Sequence, residues 1–128
     1  MISFKRLLKS FTYAFRGLAK VFREEQNLRI QSLAGILALI LGLFLGLTRI
    51  EWAILIIASM LVLLMEVANS AVERITDLFK PRINTYVKEI KDIMAAAVML
   101  SSIGAVLVGL LIFGPYLIHW LLAGSFKI

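Results

Sequence analysis

Glu66, Asn69, Glu73 and Asp77 form a pattern that chemistry uses and a membrane helix avoids. Residues 52–72 are apolar enough to cross a bilayer, yet Glu66 and Asn69 stand inside that stretch and Glu73 and Asp77 directly follow it. On a helix turning about 100° per residue, these four fall within roughly 80° of one another. A charge left in the hydrocarbon costs about 2.5–3.5 kcal/mol or more unless it is paired or wetted. A stripe retained at that cost marks a working surface. Glu66 lies about 10 Å deeper than Glu73 along the helix. There it can take a proton from a hydroxyl at the headgroup level, and a desolvated carboxylate suits a general base. Asn69, between the two, can orient either carboxylate or a substrate.

Other chemistry-bearing residues share the same interface. Glu25 precedes the first apolar run, Glu73 and Asp77 close the second, and Lys91 and Asp92 open the third. Carboxylates from separate helices at one depth suit a hard divalent cation, and Mg²⁺ is usually held by one or two carboxylates plus nucleotide phosphates. Lys91 at a helix start, with the basic residues of the first helix, can hold phosphate oxygens. No glycine-rich phosphate loop is present, so a nucleotide site here must be built from side chains and helix ends.

The elements that position these groups follow from hydropathy. A chain of 128 residues that is 61% hydrophobic and only 17% charged cannot hide its apolar surface in a soluble core, and its mean hydropathy is +0.93. An all-α membrane protein is predicted, forming one domain. Residues 3–29 place Phe4, Leu7, Leu8, Phe11, Phe15, Leu18 and Phe22 on one helix face, with lysines and arginines on the rest. That is an amphipathic helix suited to lie at an anionic headgroup surface. Spans are predicted at about 30–49, 52–79 and 91–113. A short turn is expected at 49–51, a polar loop at 80–90 and a tail at 114–128. Pro81 is expected to end the second span and Gly114-Pro115 the third. Gly42 with Gly46, and Ala97, Ser101, Ala105 and Gly109, offer small-residue faces for close helix approach.

Residues 1–31 hold seven Lys and Arg and residues 74–91 hold five, against Arg49 and Lys127 on the other side. The imbalance predicts a cytoplasmic N-terminus and second loop, facing ATP. The net charge of +6 follows this membrane distribution and is not read as a nucleic-acid surface. Cysteine is absent, which removes disulfide and thiol chemistry. No removable signal peptide is expected, because the first 30 residues are charged and amphipathic. His119 reads as an interfacial side chain on the far side.

These motifs together resemble the small prokaryotic membrane lipid kinases, the family of diacylglycerol and undecaprenol kinases. Ser10-Phe-Thr-Tyr-Ala-Phe-Arg-Gly-Leu18 resembles the family's opening helix. Glu24-Glu-Gln-Asn-Leu-Arg-Ile30 resembles its Asn-Glu-x-Asn-Phe-Arg-Ile turn. Glu66-Val-Ala-Asn-Ser-Ala-Val-Glu-Arg-Ile-Thr-Asp77 and Lys91-Asp-Ile-Met-Ala-Ala-Ala-Val98 resemble its two signature runs. The resemblance implies three spans per subunit plus a surface helix, a homotrimer with active sites shared between subunits, a bacterial cytoplasmic membrane, and ATP with Mg²⁺. By position it implies Glu66 as proton acceptor, Asn69 beside the transferred phosphate, and Glu25 and Glu73 as metal ligands. It implies nucleotide contacts at Arg6, Tyr13, Glu25, Glu73, Asp77, Lys91 and Asp92, and lipid contacts at Arg6, Glu66 and Ala95. Where the family commonly has Glu-[FY]-His, this chain has Arg82-Ile-Asn84, which bears on how Arg82 and Asn84 meet the nucleotide. Arg49-Ile-Glu-Trp52 and Arg29-Ile30 resemble members that act on undecaprenol. From the residues alone, two other classes stay open: a proton- or cation-coupled transporter with Glu66 as its intramembrane carboxylate, and a structural subunit.

Overall fold

The computed structural model describes residues 3–79 and 84–124. Among them the chain forms α1 (Phe4–Glu24), α2 (Gln26–Leu45), α3 (Arg49–Leu78) and α4 (Asn84–Ala123). The last three are long and apolar enough to cross a membrane. At about 1.5 Å per residue, the 20 residues of α2 match a hydrocarbon core of about 30 Å, while α3 with 30 and α4 with 40 extend past it.

Hydrogen bonds between neighbouring helices define two antiparallel registers. Gln31 meets Glu66, Glu25 meets Ser70 and Glu24 meets Arg74 across the first, while Asp77 meets Lys91 and Glu51 meets Tyr116 across the second. Leu47, Leu55 and Ile112 make a small core at the end away from Glu66 and Glu73, against Trp52, Phe113 and Tyr116. Elsewhere apolar side chains face outward, as with Phe44 at 74% exposure and Leu111 at 78%. Hydrocarbon is the solvent that suits such a surface.

Five boundaries differ from the sequence reading, one being the helix of the first span, which ends at Leu45 and not near 49. The first helix ends at Glu24 and not at 29, because Glu25 is extended (φ −97°, ψ 113°). Its backbone N–H bonds the carbonyl of Val21, and Arg29 Nη1 donates to the carbonyl of Arg23, so two of α1's last carbonyls are satisfied as the chain turns. Arg49–Glu51 is helix and not a turn, since Thr48 and Glu51 form a reciprocal capping box. The helix of the third span begins at Asn84, inside the expected loop. It also continues through Pro115, where a break was expected. Packing offsets the lost backbone bond: Phe113 and Tyr116 flank Pro115 and both pack on the core, and the Tyr116 hydroxyl donates to Glu51 Oε2 at 2.9 Å.

Gly46 is the left-handed residue that ends α2 (φ 66°, ψ 50°), not part of a helix-packing face. Gly42 serves close approach within the chain, since a Cβ there would lie 2.9 Å from Leu47 Cδ1 and 3.1 Å from the Trp52 ring. Gly46→Val is expected to destabilise the turn by about 1–2 kcal/mol, read as a lower thermal midpoint in detergent. Of the second small-residue face, Ser101 and Ala105 line a cavity with Ile54 and Ile57 of α3.

Candidate active site

The antiparallel pairing of α2 with α3, and the extended residue between α1 and α2, bring Glu25, Glu66 and Glu73 to one end of the bundle. Glu66 is 4% exposed. Gln31 Nε2 donates to its Oε1 at 2.7 Å, and among the described residues no lysine or arginine forms an ion pair with it. The charges acting on it are the carboxylates of Glu25 and Glu73. A buried carboxylate with an amide partner and no cation is equipped to accept a proton.

Glu25 occupies the N-cap of α2, a place where a side chain ordinarily bonds the helix's own free N–H groups. It makes no such bond. Its Oε1 instead accepts from the Ser70 hydroxyl at 3.1 Å, and Ser70 is 1% exposed. Glu73 stands three residues after Ser70 on α3, on a neighbouring position of one face. Asn69 Nδ2 donates to Glu73 Oε1 at 3.2 Å. Two carboxylates from different elements thus approach the same turn of α3, each held by one neutral donor.

Among the described residues no three histidine, cysteine or acidic side chains gather closely enough to enclose a metal. Glu25 and Glu73 fit a different kind of site. Mg²⁺ keeps several waters and takes one or two carboxylates along with substrate phosphates.

Arg74 closes the end of the site. Its Nη2 donates to Glu24 Oε2 at 2.7 Å and to Ser70 Oγ at 3.3 Å, tying the end of α1 to α3. That guanidinium holds the Glu24 carboxyl below its ordinary range. The pair's contribution is therefore present above the usual glutamate range and is lost only as pH falls through the lowered one.

One turn beyond Glu73, Lys91 Nζ meets Asp77 Oδ1 at 2.6 Å and joins α4 to α3. Asp92 and Ala95 are exposed on α4, and Arg6 and Tyr13 are exposed on α1. The single chain therefore brings together Glu25, Glu66, Asn69 and Glu73, adds Asp77–Lys91 beside them, and leaves Arg6, Tyr13, Asp92 and Ala95 on open surface. Arg82 lies outside the described residues, and of Asn84 only its place at the start of α4 is described. Gln31 and Ser70 are site neighbours the sequence reading did not single out. Ser70 lies four residues after Glu66, within the stripe. Gln31 is an amide six residues after Glu25, at the start of an apolar run.

A groove of about 600 Å³ flanks the site, lined by Phe15, Leu18 and Phe22 of α1, Leu28 of α2, and Leu63 and Val67 of α3. Its walls are almost entirely apolar, and Val67 is the residue next to Glu66.

The family model for prokaryotic diacylglycerol kinase matches residues 12–113. An undecaprenol kinase of Bacillus subtilis (strain 168) is 34% identical over 112 residues, covering 88% of this chain and 91% of that one. A diacylglycerol kinase of Escherichia coli (strain K12) is 31% identical over 104 residues, covering 81% and 85%. One from Synechocystis is 36% identical over 104 residues, covering 80% of this chain and 59% of its own.

Proposed function

Since this chain belongs to the prokaryotic diacylglycerol kinase family and is a membrane lipid kinase, we propose that it transfers the γ-phosphate of ATP to the primary hydroxyl of a lipid alcohol. The acceptor class is that of diacylglycerol and undecaprenol, the two named for its relatives. The observation that carries this reading is Glu66: buried, with no cationic partner among the described residues, beside an apolar groove and acted on by the Glu25 and Glu73 carboxylates. The alkyl tail lies in the groove and the hydroxyl reaches Glu66, which takes its proton. Asn69 fixes Glu73 and lies beside the transferred phosphate. Glu25 and Glu73 would hold Mg²⁺, which neutralises charge on the phosphates when bound. Lys91, Asp77 and Asp92 serve the nucleotide from α3 and α4.

Arg6, Tyr13 and Ala95 lie on open surface in one chain, and a homotrimer with shared sites would give them their nucleotide and lipid contacts. Twelve basic residues on the Glu25 side against two opposite support a cytoplasmic N-terminus in a bacterial cytoplasmic membrane. The transporter reading loses its support with the family assignment, and the stripe running on to the Asp77–Lys91 pair favours a nucleotide-facing surface.

Purified protein in bilayers, offered diacylglycerol and undecaprenol in turn with ATP or GTP, tests this. Labelled phosphate is expected in at least one lipid, with ATP as donor. Label in neither lipid contradicts the proposal.

A further inference from the structure

Gln31 holds more than the hydrogen bond already described. Its amide nitrogen serves Glu66, but its amide oxygen is sealed from solvent with no partner. Among the described residues no other sealed side-chain nitrogen or oxygen is left so. A buried acceptor without a donor is costly, because it has given up its hydrogen bond to water. The cavity that Gln31 lines is mostly apolar, with Ala38, Leu55, Val62 and Val106 among its walls; of its two serines, Ser59 donates to the Leu55 carbonyl, and neither Ser59 nor Ser102 bonds the Gln31 oxygen. A methionine would fill the same space without that cost. Across the contact, Glu66 Oε2 makes no hydrogen bond among the described residues.

We propose that Gln31 is a positioning residue that holds Glu66 in both of its protonation states during phosphate transfer. This rests on Glu66 being the proton acceptor. While Glu66 is ionised, it can only accept, and Gln31 Nε2 donates to it. In the transfer the lipid O–H bond breaks and its proton goes to Glu66 Oε2. The alcohol oxygen's electron pair forms the bond to the γ-phosphorus as the bond from that phosphorus to the β–γ bridging oxygen breaks, and ADP leaves. The new Oε2–H then has an acceptor waiting in Gln31 Oε1, once the carboxyl turns about its terminal bond. Acid and amide face each other through two hydrogen bonds until the proton passes to water. An amide suits both halves of this cycle because it both donates and accepts, whereas an ammonium only donates. The charged groups acting on Glu66 are Glu25, at the α1–α2 junction, and Glu73, on its own helix; neither supplies a donor.

The test is steady-state kinetics on the full chain in bilayers, with Gln31→Met, Gln31→Glu and Glu66→Gln measured together. Gln31→Met is expected to lower kcat about tenfold or more, a share of the roughly 10²–10⁴ that a positioned base contributes, with KM for ATP and lipid unchanged. Gln31→Glu is expected to regain activity at low pH, where one shared proton replaces the amide donor, and to lose it relative to wild type as pH rises. Should Gln31→Met fail to fold, the Gln31→Glu profile decides. A wild-type kcat in Gln31→Met, or a wild-type pH profile in Gln31→Glu, overturns the positioning role provided Glu66→Gln is inactive. Activity retained in Glu66→Gln instead overturns the underlying assignment of the base.

Discussion

Glu66→Gln is expected to abolish phosphate transfer to the lipid while the bundle stays folded. Glutamine keeps the shape of the side chain and can still hydrogen bond with Gln31, so packing of α2 on α3 survives. What it lacks is a basic oxygen for the alcohol proton. General-base catalysis is worth roughly 10²–10⁴ in rate, so kcat should fall by about that factor while KM for ATP changes little. Glu51 supplies the contrast. That carboxylate caps α3 and takes the Tyr116 hydroxyl at the opposite end of the bundle. Glu51→Gln should lower thermal stability and leave kcat near that of the native chain. Labelled ATP, lipid extraction and a melting curve check both statements.

The second large effect falls on the paired carboxylates. Glu73→Gln is expected to abolish transfer, and Glu25→Gln to lower it by a similar factor, because each removes half of the anionic donors proposed for the ion. The double variant should be scarcely worse than either single one, since groups acting as a unit are non-additive. Excess Mg²⁺ should restore part of the activity of Glu25→Gln but none to Glu66→Gln. That difference separates loss of metal affinity from loss of the base. Full activity in Glu73→Gln at low Mg²⁺ would remove the metal assignment.

Much of this arrangement was legible before any coordinates. Helical periodicity alone puts Glu66, Asn69 and Glu73 on one face, and hydropathy marks three spans at about 30–49, 52–79 and 91–113. Pairing across helices was not legible, because a single chain's periodicity says which face is polar and not which residue of the next helix meets it. Hence Gln31, which reads as one polar residue at a span's edge, emerged only when the α2–α3 register set it against Glu66. Helix ends were missed for a different reason. The Thr48–Glu51 capping box stood in the sequence, but Arg49 and Glu51 between two spans looked like a polar turn. Pro115 looked like a stop, and packing of Phe113 and Tyr116 outweighed it. Glu25 falls inside the helix expected over 3–29; its extended backbone is what frees its carboxylate to reach Ser70.

The claim on which the account stands is spatial: a metal-holding pair and a separate proton acceptor occupy one end of the bundle. Electron paramagnetic resonance of Mn²⁺ in place of Mg²⁺, with a non-hydrolysable ATP analogue, examines it directly. The native chain and Glu66→Gln should both show a bound Mn²⁺–nucleotide spectrum, and Glu25→Gln/Glu73→Gln should lose it. A bound spectrum undiminished by removal of both carboxylates, or one lost in Glu66→Gln, would contradict the division of roles.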